Sequence, residues 1–418
     1  MKGEAMPRES LIAGLDIGTT KICAVLAEVG RDYSTPRIVG VGVRPSHGGL
    51  RKGVVVNIEQ TVQSIRGAVQ DAELMAGEKF PPAYVGIAGE HIRGANSKGV
   101  IAVGRGGRQG GEIKREDVDR VLYAAQAVSM PADREIIHVL PQEFIVDDQM
   151  GIRDPTGIVG VRLEARVHIV TASAIFLQNI RESVRRAGLE VEEFVLEPLA
   201  SSYSVLSEDE RDLGVGLLDV GGGTTDIALF FGGSLRHTAV VGLGGNNVTR
   251  DLAIGLRTPL EAAEKIKIEH GVASTRLAQE EHVVSVPGVG SRGGREVPQS
   301  ELAEIIEPRM EEIFLLARSE IESSEYMDML TTGIVLTGGG AMLDGAVELA
   351  GEVFELPVQL GVPKGVQGLT EGISSPAYAT SVGLVLYGIE RSAEVLPGRE
   401  KGPLGRLWDK VKQWWREF

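Results

Sequence analysis

Residues 215–233 read VGLLDVGGGTTDIALFFGG, and residues 12–30 read IAGLDIGTTKICAVLAEVG. Each stretch is an alternating apolar strand ending in an acid (Asp16, Asp219), a Gly and Thr turn (Gly18-Thr19-Thr20 and Gly221-Gly222-Gly223-Thr224-Thr225), and a second β-prone run. Strand, tight turn and strand predict a hairpin each time. Glycine admits positive φ and brings backbone N–H groups close to an anion, and threonine hydroxyls add donors, so both turns suit a phosphate. The acid at the strand end is badly placed for phosphate and well placed to hold Mg²⁺ through water. Lys21 adds a positive charge to the first turn, and Asp226 takes the matching place in the second. One copy alone reads equally well as an ordinary hairpin turn. Two copies with the acid in the same register favour a paired phosphate clamp.

Composition narrows the function classes further. With 418 residues, 43% hydrophobic and 24% charged, the chain has the makings of a full core and a length that predicts roughly three domains. A net charge of −15 disfavours wholesale nucleic-acid binding, which needs a basic face. The single cysteine, Cys23, excludes an internal disulfide framework and a cysteine-rich metal site, and points to a reducing cytosolic compartment. The opening MKGEAMPRES lacks the apolar core of a secretory signal, and no run approaches the ~18 apolar residues of a spanning helix.

There is no G-x-x-x-x-G-K-[ST] motif, and neither glycine cluster has the G-x-G-x-x-G spacing before a helix, which removes the P-loop and Rossmann readings. A third cluster, in IVLTGGGAMLDGAVELAGE (334–352), ends a strand in Gly338-Gly339-Gly340 before a helix-like segment. Bare backbone there would let a nucleoside or its α-phosphate lie close.

In this order the motifs resemble the actin-like ATPase superfamily, and the resemblance implies an α/β fold of two lobes that clamp ATP and Mg²⁺ between Asp16 to Lys21 and Asp219 to Asp226, with the late cluster holding the adenosine. It also implies that Glu197, in LEPLASSYSVL (196–206), orients the attacking water; a helix-start carboxylate favoured by the dipole is the equal alternative. By the same resemblance Glu264, Lys265 and Lys267, in EAAEKIKIEHG (261–271), are candidates for adenine and ribose contacts, although such a charged face is usually solvated. Residues 84–166, from YVGIAGEHIRGANSKGVIAVG through GRGGRQGG and REDVDRVLYAAQAVS to a strand-rich stretch, form an α+β insertion that actin lacks. That insertion, together with GLDIGTTKI, LDVGGGTTDIALF, GLGGNNVTRDLAIGLRTPLEAAEKIK and VLTGGGAMLDG, resembles the FtsA cell-division family over about residues 10–390, with PilM-like pilus scaffolds as nearest competitor.

The expected organisation is a first lobe core at 10–83 and 167–203, the insertion at 84–166, a second lobe core at 204–242 and 304–390, an outer subdomain at 243–303, a linker at 391–403 and an amphipathic helix at 404–418. Leu404, Leu407, Trp408, Val411, Trp414, Trp415 and Phe418 follow helical spacing on one stripe, with Arg406, Lys410, Lys412 and Arg416 opposite. An aromatic stripe on a locally basic tail after a linker fits an interfacial helix on anionic lipid, against the usual reading of a helix docked on its own core. The resemblance implies a peripheral protein on the cytoplasmic face of the membrane at the septum, which tethers FtsZ by its C-terminal tail, forms filaments with itself and recruits later division proteins. A sugar-kinase reading stays open, although no general base facing a substrate hydroxyl is evident.

Overall fold

Small and branched apolar residues run through Ser10–Ile17 and Lys21–Val29, and these pair as antiparallel strands buried almost throughout. Near-continuous apolar runs of this kind mark strands covered on both faces. The computed structural model describes residues 10–30, 35–104, 110–127, 131–290 and 292–395. The two strands sit in the middle of a six-stranded sheet, in the order Val191–Leu196, Ala83–Ile87, Ser10–Ile17, Lys21–Val29, Arg37–Pro45 and Gln367–Gly368. Helix Ile58–Ala76 covers one face; Asn57 caps its start by accepting from the Gln60 N–H, and Gly77 ends it at a φ of 71°.

A second sheet repeats the plan with five strands, in the order Ser234–Val241, Thr225–Phe231, Val215–Val220, Ile334–Thr337 and Val358–Leu360. It packs against helices Gly245–Leu256, Gln299–Ser323 and Ala346–Phe354 around Leu218, Ile227, Leu252, Met310 and Phe314. Each lobe therefore has its own apolar core, and burying one such side chain contributes about 1.5–3 kcal/mol.

Two helices, Glu197–Val205 and Ala379–Val395, cross between the sheets. They touch backbone to backbone, since a Cβ on Gly383 would stand 1.9 Å from the Ala200 carbonyl oxygen. The second of them continues to Val395, past the expected start of the linker at 391. The tail residues 404–418, with the whole aromatic stripe, lie outside the described residues.

The insertion folds as a four-stranded sheet, in the order Gln149–Ile152, Arg134–Val146, Arg162–Ser173 and Arg93–Ala102, with helix Arg115–Ala125 on one face. Val118, Val121, Leu122, Phe144 and Leu163 give it a separate core. It leans on the edge strand of the second lobe through neutral polar groups. Gln142 Nε2 donates to the carbonyls of Leu235 and Arg236, each at 3.1 Å, and the His168 ring bridges Asn96 Oδ1 (2.7 Å) and Thr238 Oγ1 (2.9 Å). Burial holds His168 down at about 3, so this contact is uncharged. The glycine-rich stretch around 285–300 is framed by an antiparallel hairpin of Val283–Val286 with Arg295–Pro298.

Candidate functional site

The two hairpins face each other across a cleft of about 390 Å³, within the range of about 300–1,000 Å³ common for small-molecule sites. Each turn has four residues closed by the same bond: the Gly18 N–H donates to the Lys21 carbonyl at 3.0 Å, and the Gly221 N–H to the Thr224 carbonyl at 2.9 Å. Their strands also pair alike, with Ile17 opposite Ile22 and Val220 opposite Thr225. Position for position, Lys21 thus corresponds to Thr224, and Asp226 corresponds to the buried Cys23, not to Lys21 as matching the two Thr-Thr pairs suggests. The tips meet: a Cβ on Gly222 would lie 2.3 Å from Thr20 Cγ2, and one on Gly223 2.8 Å from Thr19 Oγ1.

The crossing helices hold the two strand-end acids. Ser381 Oγ donates to Asp16 Oδ2 at 2.9 Å, while Ser201 Oγ and Thr380 Oγ1 donate to Asp219 Oδ2 at 2.9 and 3.2 Å. Lys21 Nζ donates to the Ala377 carbonyl and stands 3.8 Å over the Tyr378 ring. Burial raises the pKa of Asp16 and Asp219, against the lowering effect of Lys21 and these hydroxyls. Glu197 is pushed well up, by burial first and then by Asp16, Asp226 and Asp219. Asp226 is pushed up to about 7 by burial and by Asp219, and its Oδ1 has no hydrogen-bond partner although its Oδ2 accepts from Thr224 Oγ1 at 3.0 Å. Lys21 offsets Asp16 and Asp219, while the only charged groups acting on Glu197 and Asp226 are acids, so the cleft carries an excess of acid groups that favours an added cation.

The late cluster closes the cleft. Gly338 takes a φ of 85°, and a Cβ there would meet Asp219 Oδ1 at 2.4 Å; Gly339 opens on free space, with nothing within 4 Å of its Cβ position. On helix Leu260–His270, Glu264 and Lys267 share the cleft face, three residues apart. Lys267 Nζ donates to Glu264 Oε2 (2.7 Å), Thr249 Oγ1 (2.8 Å) and the Gly245 carbonyl (3.1 Å).

Asp16, Gly18, Thr19, Thr20, Lys21, Glu197, Asp219, Gly221 to Thr224, Glu264, Lys267 and Gly338 to Gly340 therefore line one cleft. Two residues singled out in the sequence do not. Thr225 follows Thr224 into a strand and turns to the opposite side, where its Oγ1 donates to the Leu243 carbonyl at 3.0 Å. Lys265 sits more than half a turn around the helix from Lys267 and points to solvent, 3.9 Å from Glu269. Among the described residues no three acid, histidine or cysteine side chains are grouped to hold an ion. The cleft also gathers residues the sequence reading passed over: Gly53, Ala88, Gly245, Asn246, Ile268, Gly271, Met342, Leu343, Pro376, Ala377 and Thr380. Gly245 and Asn246 open a helix directly behind the second turn, with their N–H groups on the carbonyls of Gly221 (2.9 Å) and Gly222 (2.8 Å), and the GLGGNN run was a usable signal for them. Pro376 and Ala377 had none.

Residues 216–383 match the family described as Cell division protein FtsA, and residues 89–171 match the SHS2 domain inserted in it. The FtsA of Pseudomonas aeruginosa is 48% identical, over 97% of either chain. The chain belongs to the FtsA cell-division family. A role in cell division follows from that membership. Two solved structures share the fold of this FtsA-family chain at low identity. One, a PilM-PilN type IV pilus biogenesis complex, has a TM-score of 0.66 at 19% identity, covering 92% of this chain and 99% of that one. The other, MreB5 of Spiroplasma citri bound to ADP, has a TM-score of 0.52 at 14% identity, covering 91% and 95%. The actin-like two-lobe fold with an inserted α+β domain, expected from the sequence, is borne out.

Proposed function

We propose that this FtsA-family chain binds Mg-ATP between its lobes and tethers FtsZ filaments to the cytoplasmic face of the cell membrane at the division septum, where it recruits later division proteins. The observation that carries the nucleotide half is the meeting of two congruent Gly-Thr turns over a cleft rimmed by buried acids. The residues fit the ligand. Backbone N–H groups of both turns, with Thr19, Thr20 and Thr224, bind phosphate oxygens, Lys21 offsets their charge, and the open side of Gly339 leaves room for the nucleoside. Mg²⁺ would be held by Asp16 and Asp219 through water, since no cluster of three ligating side chains exists among the described residues. Bound Mg²⁺ neutralises phosphate charge and the acids around it. Glu197, at the start of a crossing helix, orients water for slow hydrolysis.

The tethering half is supported by family membership and by the tail, whose three tryptophans are all the tryptophans of the chain. No helix among the described residues is long and apolar enough to cross a membrane, so attachment falls to the stripe from Leu404 to Phe418. One amphipathic helix binds lipid reversibly, and filaments of this chain would raise avidity by presenting many tails together. Flotation with anionic liposomes tests this, comparing the full chain with one ending at Gly402, each with and without Mg-ATP and FtsZ. The full chain is expected to float and carry FtsZ, and truncation to abolish both. A full chain that stays soluble in every condition would refute the tether.

A further inference from the structure

Two turns beside the phosphate hairpins are interlocked through bare backbone. A Cβ on Gly53 would stand 2.3 Å from the Ala88 carbonyl oxygen, and one on Gly89 2.7 Å from the Lys52 carbonyl oxygen. Gly53 and Ala88 line the cleft, and the Gly53 N–H donates to Thr19 Oγ1 at 3.2 Å, which fixes the first turn against the first phosphate hairpin. The Lys52 Cα lies 3.1 Å from the Cβ position of Gly223, at the tip of the second hairpin. Lys52 is thus rooted at the seam where the hairpins meet, yet its side chain does not line the cleft. It is turned outward, with Nζ 3.1 Å from Glu90 Oε1.

Three parts of the molecule meet at this ion pair. Lys52 belongs to the first lobe, and Glu90 stands at the root of the inserted domain, whose match begins at residue 89. The second lobe contributes Gly242, where a Cβ would be only 1.6 Å from Glu90 Oε1 and 3.1 Å from Lys52 Nζ. As placed, the pair occupies the space a side chain at 242 would fill, and one there would push the Glu90 carboxylate aside. Lys52 itself has a φ of 50°, a left-handed position that favours glycine or asparagine, so backbone geometry does not explain a lysine. Nor does stability, because both partners are about half exposed, at 40% and 55%, and exposed pairs contribute little. A weak pair on a flexible stem beside two phosphate-binding turns is a cation that exchanges partners easily.

We propose that Lys52 is a positioning residue for the terminal phosphate of a bound nucleoside triphosphate, and that its ammonium leaves Glu90 to reach it. The carboxylate at the root of the inserted domain, seated on Gly242 of the second lobe, is then unpaired when the triphosphate is bound and paired when the diphosphate is bound. The inserted domain receives the state of the nucleotide through this exchange. The inference rests on the Mg-ATP reading of the cleft.

The test is calorimetric titration of the full chain with Mg-ATP and with Mg-ADP, for wild type, Lys52→Gln, Lys52→Arg and Glu90→Gln. Lys52→Gln is expected to bind Mg-ADP within about twofold of wild type, which also shows that it folds, and to lose about tenfold or more in Mg-ATP affinity. Lys52→Arg restores most of the loss. Glu90→Gln removes the competitor and tightens Mg-ATP about two- to fivefold, with Mg-ADP unmoved. If Lys52→Gln keeps the wild-type ratio of ATP to ADP affinity, the positioning role is wrong. If only Glu90→Gln has no effect, the exchange with the inserted domain is wrong. Wild type that binds neither nucleotide overturns the reading of the cleft, and this inference with it.

Discussion

The two hairpins have the same turn length and closing bond, yet they solve the problem of a buried acid in opposite ways. In the first, Asp16 has the neutral Cys23 opposite and Lys21 within the turn. In the second, Asp219 has another carboxylate, Asp226, opposite, and Thr224 where the lysine would be. The first hairpin carries its own counter-charge; the second is built to be completed by a cation from outside. The repeat thus preserves backbone geometry, which the proposed phosphate binding would need in both lobes, and leaves the charges free to diverge.

The largest consequence concerns Lys21. If the first hairpin supplies the resident charge, Lys21→Gln weakens Mg-ATP about a hundredfold, whereas Thr224→Val at the corresponding place weakens it about tenfold. Equal losses in a binding titration would mean that the two turns act as a symmetric clamp and that the charge difference is incidental.

The contact between the tips comes next. Gly222→Ala places a methyl 2.3 Å from Thr20 Cγ2, and overpacking of this kind costs about 1–3 kcal/mol, felt when the lobes close. Nucleotide affinity is expected to fall about tenfold with the apo melting temperature nearly unchanged. Gly339→Ala, whose Cβ meets nothing within 4 Å, leaves the apo fold intact and serves as the control. A large drop in apo melting temperature for Gly222→Ala would show that the tips are locked together without ligand.

The pH dependence isolates the second hairpin. The Asp226 carboxyl, raised from 3.8 to about 7, keeps in the folded state a proton that the unfolded chain releases. The apo protein therefore loses stability as pH rises from about 4 through about 7 and changes no further above it, at a rate up to about 1.4 kcal/mol per pH unit. Asp16, Asp219 and Glu197, also raised, act with the same sign. His91, held down at about 4, and His138 and His168, each at about 3, act in the other sense, but only below the ordinary 6.5. Thermal melts between pH 6.5 and 8 should show wild type losing stability and Asp226→Asn losing less. An identical slope in the variant would place the proton elsewhere.

The sequence disclosed the parts of this site that backbone chemistry dictates. A turn that lets backbone approach an anion requires glycine, and an acid that ends a strand beside it is visible by its spacing; hence both hairpins and Gly338 to Gly340, which line one cleft, are legible in the sequence. Turn closure is a matter of hydrogen bonds, so matching the Thr-Thr pairs sets Asp226 against Lys21, whereas the register makes it the counterpart of Cys23. Ser201, Thr380 and Ser381 escaped notice because hydroxyls in a helix are ordinary until a neighbouring sheet puts a carboxylate 3 Å away. The run EAAEKIKIEH offered two lysines with equal claim, and only the phase of the helix separates them.

That separation supplies the smallest predicted effect and completes the comparison. The second hairpin has no lysine in its turn, but Lys267 reaches it from behind: Nζ donates to the Gly245 carbonyl, and the N–H of that same peptide, on Asn246, donates to the Gly222 carbonyl. Lys267 thereby polarises, through one peptide, the turn proposed to receive phosphate, and engages Glu264 as well. Removing one such buried hydrogen-bonding group is worth about 1 kcal/mol, so Lys267→Met is expected to weaken Mg-ATP about fivefold. Lys265→Met, two residues away and solvent-facing, should change it by less than about twofold. If the two variants behave alike, the helix contributes only surface charge, and the second hairpin depends wholly on the added cation.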